Sequence, residues 1–207
     1  MKSKIRGCKK LSLLLILFLS CSSFVFSQSF EGIIEMLQVT NSGIEYNMKW
    51  YIKKGKLSYE LSYQSAKGQV EIRFVPQKSS NSFLMITGDD KIEIPSSEIS
   101  TPDGFTMEGA KLLNNGKVNN TDFKKVYNWE ISTKDIVSNN DVTLDVDINF
   151  SEYKEFFKSD YGICALVESG KHGFPLNSTT IDKDGNLLTR TTLKKVTRKE
   201  ISDSYFK

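Results

Sequence analysis

Asp182, Asp184 and Asn186 stand at alternate positions, the spacing at which a calcium loop offers its first oxygen ligands. Such a loop also needs glycine at its sixth place and glutamate at its twelfth. Here the glycine comes fourth, as Gly185, and the twelfth residue is Leu193. Asp-Gly between two alternating runs reads better as a hairpin turn. Asp141, Asp145 and Asp147 form a second acidic set. On a strand, Asp145 and Asp147 would lie about 7 Å apart on one face. That is usable for a cation, but carboxylates on the polar face of a half-exposed sheet are the ordinary outcome. His172 is the one histidine, and so the one imidazole base for a nucleophile. Cys164 sits in the apolar run Ile163–Val167, which reads as a strand, where a buried and inert thiol is expected. There is no G-x-S-x-G, H-E-x-x-H or phosphate-loop motif. The residues therefore carry no recognisable catalytic, metal or cofactor motif, and the expectation is a protein that is not an enzyme, with an enzyme built on Asp145/Asp147 or His172 as the third alternative.

The side chains with most capacity to bind something are apolar. Ile44 to Tyr63 alternates with period two across two runs. Tyr46, Met48 and Trp50 share one face of the first run, and Tyr59, Leu61 and Tyr63 one face of the second. The intervening Lys53-Lys54-Gly55-Lys56 supplies the glycine that a tight hairpin needs. Phe74, Tyr127 and Trp129 fall on the apolar faces of later strands. After them, Tyr153, Phe156 and Phe157 recur at helical spacing behind Ser151, the pattern of a short capped amphipathic helix. Two arrangements fit. Either the aromatic face and the Phe156/Phe157 helix pack as plain core, or they enclose an apolar cavity. In the second case Tyr46, Met48, Trp50, Tyr59, Leu61, Tyr63, Phe74, Trp129, Phe156 and Phe157 are the candidate lining. Each methylene of an acyl chain buried there would gain about 0.8 kcal/mol.

These elements follow a basic, then apolar, start. Lys2, Lys4, Arg6, Lys9 and Lys10 precede Leu11–Leu19 and a run of small residues, the layout of a secretory signal peptide. Cleavage after Ser27 would leave residues 28–207 as one domain. The alternative is lipidation at Cys21, whose Phe18-Leu19-Ser20-Cys21 context resembles a lipobox; membrane association is expected only in that case. The whole chain carries 28 Lys+Arg and 25 Asp+Glu, but residues 1–27 hold five of the basic residues and no acidic ones. The remainder is close to neutral, with no basic stripe, which argues against a nucleic-acid partner.

Along residues 28–207 the strand signals dominate. Phe30–Val39, the central hairpin, Val70–Val75, Phe83–Ile86 and Lys91–Ile94 read as an antiparallel meander, with Gly32 a candidate bulge. Pro95–Asp122 reads as a long connection with a short helix at Met107–Leu113. Strands resume at Phe123–Ser132, and Val142, Leu144, Val146 and Ile148 alternate like another. Gly173–Leu176 opens a further strand, and Leu187–Val196 returns from the Asp-Gly turn. The total is roughly ten or eleven strands with one or two helices, a mainly β chain with minor α.

Phe30-Glu31-Gly32 with Ile34, Trp50 to Lys56 (WYIKKGK), Gly173-Phe174-Pro175-Leu176, the Asp-Gly turn and the ending Lys199 to Phe206 together resemble a family of exported bacterial proteins of unknown function. That family is similar to the periplasmic LolA/LolB lipoprotein carriers. The resemblance implies a curved antiparallel half-barrel with helices across its concave face and an apolar cavity between them. It implies a non-enzymatic protein of the cell envelope, in the periplasm or associated with the outer membrane. The partner it implies is a lipid or acylated peptide. An envelope protein partner, met by a solid-cored interaction module, is the alternative.

Overall fold

A computed structural model of the chain describes residues 30–98, 109–158 and 160–207. The expected signal segment 1–27, with Cys21, lies outside them, as do Met107 and Glu108 of the expected short helix.

Among the described residues, eleven strands form one open antiparallel sheet, a curved half-barrel. They are β1 (Gly32–Thr40), β2 (Glu45–Lys53), β3 (Lys56–Ser65), β4 (Gly68–Gln77), β5 (Ser82–Thr87), β6 (Asp90–Pro95), β7 (Lys111–Val118), β8 (Val126–Ser132), β9 (Ile136–Thr143), β10 (Phe174–Asp182) and β11 (Leu187–Arg198). Their order is β6-β5-β4-β3-β2-β1-β11-β10-β9-β8-β7, so the first and last strands of the chain meet in the middle and β6 and β7 are the two edges.

Local chemistry sets the register. The β2–β3 hairpin turns on Lys54 and Gly55, with φ of 47° and 75°, the type I′ pattern whose twist matches the flanking strands. That turn pairs Trp50 with Tyr59 and Met48 with Leu61. The pairing continues from Tyr59 to Phe74 and from Phe74 to Met85, and on the other side from Trp50 to Ile34. One apolar row thus crosses five strands on a single face. Gly32 is fixed by close approach: a Cβ there would lie 2.2 Å from the Thr197 carbonyl oxygen. The β1–β11 register shift lies between Glu35 and Met36, beside Lys194, and not at Gly32 as expected.

Two short segments cover the apolar face. A 3₁₀ segment, Phe150–Phe156, is capped by Asn149, whose side chain accepts from Ser151 N. It supplies Phe150, Tyr153 and Phe156 to the core. Helix α1, Tyr161–Glu168, is capped by Asp160, whose carboxylate accepts from Ile163 N at 2.9 Å. This corrects the reading of Ile163–Val167 as a strand. A short apolar run has no decisive period, and the Asp160 cap together with the sheet-facing Gly162, Ala165 and Leu166 resolves it as a helix.

Two other expectations are corrected. Lys111–Val118, read as part of a connection, is the edge strand β7. An edge strand needs only one partner, so its Asn- and Gly-rich sequence suffices. Strand β9 ends at Thr143, and Leu144 to Asn149 is irregular. The Asp145 carboxylate accepts from the backbone N–H groups of Lys124 and Lys125, which holds the chain away from the ladder.

Candidate functional site

The aromatic row is packed. Trp50 stacks on Tyr59 with ring centroids 4.9 Å apart, and Tyr59 stacks on Phe74 at 5.1 Å. The rings around them meet them edge-on or tilted. Phe174 and Phe150 stand perpendicular to Trp50, and Phe157 touches Trp50 and Tyr59 at 5.6 and 5.8 Å. Phe156 reaches Phe83 at 4.7 Å. The Phe156/Phe157 segment is therefore the cover that helical spacing suggested. Met48, Trp50, Phe156 and Phe157 are buried, whereas Tyr46, Tyr59, Leu61, Tyr63 and Phe74 are half-buried. Tyr46 and Tyr63 meet edge-on at 5.4 Å beside the main cluster.

Trp129 is not among them. It packs with Ile131, Val142, Ala165 and Leu166 in a second, smaller cluster, and its indole N–H donates to Asn115 Oδ1 at 3.0 Å. The structure thus brings eight of the ten candidate lining residues into the main apolar cluster, leaves Tyr63 beside it against Tyr46, and sets Trp129 in the second cluster with α1 residues Ala165 and Leu166.

Two spaces adjoin this face. A small cavity of about 20 Å³ lies among Met36, Met48, Trp50, Gly162 and Ser178, with Asp160 at its border. That volume holds about one water molecule. A cleft of about 260 Å³ lies between the 3₁₀ segment and α1. Phe157, Ile163, Cys164 and Val167 supply its apolar lining, and Lys154, Glu155, Lys158 and Glu168 its charged border. Ile163 lines both spaces and separates them.

Burial governs the titratable groups here. It pushes the Asp160 carboxyl above its ordinary value, against the backbone N–H groups of Ile163 and Gly162. Burial likewise raises the Tyr59 phenol, with Asp160 adding to the effect. The Cys164 thiol is pushed up to about 12 by burial, then by Asp160 and Glu168. Its Sγ–H donates to the Phe157 carbonyl at 3.0 Å. Burial and this hydrogen bond both favour the protonated thiol over the thiolate. His172 is exposed and lines a different depression, with Leu144 and Asp147.

Local structure occupies Asp182 of the first acidic set and Asp141 and Asp145 of the second. Asp182 accepts from the backbone and side-chain nitrogens of Asn186, both at 2.8 Å, closing the β10–β11 turn. Asp141 accepts from Asn128 and Asn177. Among the described residues no cluster of three or more His, Cys, Asp or Glu side chains is placed to hold a metal.

One constellation had no sequence signature. On the outer face, Tyr51 donates to Glu60 Oε2 at 2.6 Å, and Arg73 donates from Nε to Glu60 Oε1 at 2.9 Å. The C-terminal segment Asp203–Phe206 lies over this network. The only hint was that Glu60 faces Lys49 and Arg73 across neighbouring strands.

No family model and no curated protein matches this chain. Solved structures do match. One is a crystal structure from Bacteroides fragilis NCTC 9343, provisionally described as an exported protein with a YmcC-like fold. It aligns over 82% of this chain and 97% of its own, at 12% identity and a TM-score of 0.31. A likeness at that level describes the neighbour and assigns nothing to the chain compared with it.

Proposed function

We propose that this chain is an exported, non-enzymatic protein of the cell envelope that holds an apolar ligand, the acyl chain of a lipid or of an acylated peptide. The observation that carries the reading is the cleft of about 260 Å³ floored by Phe157, Ile163 and Val167. It lies just below the range of small-molecule pockets, about 300–1,000 Å³. The half-buried Tyr59, Leu61 and Phe74 pack against the same cluster as Val167. The cover suits a ligand that enters by displacement. A 3₁₀ helix has poorer hydrogen-bond geometry than an α-helix, and α1 has only eight residues. With a space of only about 20 Å³ beneath it, this arrangement leaves no room there for a long chain, so uptake beneath the cover requires the cover to shift. The basic and apolar start of the chain supports export.

The test is saturable uptake of a fluorescent fatty acid or lipopeptide by delipidated protein. Val167→Trp, which fills the cleft from its apolar lining, is expected to reduce uptake severalfold. Absence of saturable uptake would sink the reading. The second reading, an interaction module with a solid core, is favoured by that same small space beneath the cover and by exposed Ile92 and Leu113 on the two edge strands. No uptake together with a reproducible envelope partner is its expected outcome.

A further inference from the structure

The sheet is open, and its two edges differ in kind. Strand β7 carries two like charges, Lys111 and Lys117, and is broken by a register shift between Leu112 and Asn114 and by Gly116. Those are the devices by which an edge is protected from further pairing. Among the described residues, strand β6, Asp-Lys-Ile-Glu-Ile-Pro, pairs with β5 alone, in an unbroken register from Ser82–Pro95 to Thr87–Asp90. Every β6 residue except Ile94 is exposed, and Ile92 is 52% exposed.

We propose that β6 pairs antiparallel with β6 of a second copy of this chain, centred on Ile92. In that register Ile92 faces the second copy's Ile92. Lys91 faces the second copy's Glu93, and Glu93 faces its Lys91. The central Lys91-Ile92-Glu93 is thus complementary to its own reverse. A pair centred one residue earlier would set Lys91 against Lys91, and one residue later Glu93 against Glu93.

The backbone agrees with this choice. Gly88 and Asp89 form a two-residue turn between the paired Thr87 and Asp90, with Gly88 at φ 60°. Residues that exchange backbone hydrogen bonds alternate along an antiparallel pair. Counting from the turn, Asp90, Ile92 and Ile94 bond to β5, so Lys91 and Glu93 turn their N–H and C=O groups outward. In the proposed pairing those two form the bonded pairs. Ile92 then occupies the non-bonded position, where side chains approach most closely. Pro95, which has no N–H to give, falls at the end of the pairing.

The contact is isologous, so it closes at two copies and does not propagate. Its area is that of a single strand pair, and the association is correspondingly weak and concentration-dependent. The pairing makes one continuous sheet of both copies and uses neither the cleft nor its cover, so it stands whether or not the chain binds an apolar ligand.

Sedimentation velocity over a broad concentration range tests it. The chain is expected to shift from monomer to dimer as concentration rises. Lys91→Glu and Glu93→Lys should each be monomeric, because each sets two like-charged pairs in register. Mixed in equal amounts, those two variants should dimerise, since every facing pair is then opposite in sign. The double reversal K91E/E93K should also dimerise. Glu93 accepts from Ser82 within the fold, so Ile92→Asp serves as a further variant, expected to be monomeric with an unchanged circular dichroism spectrum. A chain that stays monomeric at every concentration would overturn the proposal, as would single reversals that dimerise as the parent does.

Discussion

Tyr205 lies flat on Tyr51, with ring centroids 4.2 Å apart and planes inclined by 22°. The Arg73 guanidinium sits 4.6 Å over the far ring, Tyr205. The last residues of the chain are thereby held to the outer face of the sheet, opposite the aromatic row. Ile201 is buried beside them, and Lys53 donates to its carbonyl at 2.7 Å. A terminal segment is ordinarily poorly ordered unless tied down, and here the tie is this stack.

Tyr205→Ala is therefore expected to cost stability and leave the cleft intact. An aromatic pair contributes about 0.5–1.5 kcal/mol beyond its area and a cation–π contact about 0.5–1 kcal/mol. The expected loss is about 2 kcal/mol, or about 5 °C in Tm for a domain of this size. Thermal melts by circular dichroism check the value, and uptake of an apolar probe checks that the concave face is unaffected.

Beneath the stack, Arg73→Leu is expected to cost about 3 kcal/mol, because it strands the Glu60 carboxylate in a site where Glu60 is 8% exposed. The double change R73L/E60L should recover part of that loss, since no charge is left unpaired. Adding Tyr51→Phe should recover more, because the Tyr51 hydroxyl then has no missing acceptor. Urea midpoints for the three variants test the order. Equal losses in all three would show that packing, and not charge, holds this face.

Much of this architecture is legible in the residues. The alternation of Ile44 to Tyr63, with Gly55 at its turn, leads directly to β2, β3 and the Trp50–Tyr59 pairing. The Tyr153, Phe156 and Phe157 spacing leads to the cover. What escaped the sequence were features set by tertiary partners. Ile163–Val167 is apolar enough for either a strand or a helix, and only the Asp160 cap and the fit of Gly162 against the sheet decide it. The Tyr51–Tyr205 contact joins positions far apart in the chain with no local pattern to announce it. Trp129 shares its residue type and alternation with Trp50, but its face meets α1 and not the main aromatic cluster. The cleft itself is an interval between two short covers, and its size follows from how they settle on the sheet.

Gly162 fixes how closely α1 approaches that sheet. A Cβ at this position would lie 2.6 Å from Ser178 Oγ and 3.2 Å from Asn140 Oδ1. Gly162→Ala is expected to cost about 1–3 kcal/mol by overpacking, despite the better helix propensity of alanine. Ser178→Ala removes a buried hydroxyl that has no protein partner and is expected to be close to neutral alone. In G162A it should restore about half of the loss, since the Ser178 Cβ, at 3.3 Å, stays in the way. A double-mutant cycle by urea denaturation measures the coupling. Additive effects would place Gly162 at some other constraint.

Asp160 gives the cover a pH dependence of known sign. Its carboxyl caps α1 through Ile163 N, yet burial raises its folded pKa above the ordinary 3.8. A carboxyl whose folded pKa is raised contributes most where it is protonated in both states, below the unfolded value. That contribution is lost as pH rises through the folded value, because ionisation is then easier in the unfolded chain. Asp160→Asn keeps the cap, since asparagine and aspartate are equally good there, and has no charge to desolvate. The variant is therefore expected to be more stable than the parent at neutral pH, with the gap closing as pH falls through the folded pKa of Asp160. Asp160 also contributes to the upward push on Tyr59 and Cys164. In D160N the Cys164 thiol should consequently ionise at lower pH and alkylate faster at fixed alkaline pH. Urea midpoints measured from acid to neutral pH, read as the difference between variant and parent, isolate this group from every other carboxylate. A gap that widens toward acid pH would mean that the ionised cap outweighs the burial, and that the closed cover is held by the charge at Asp160.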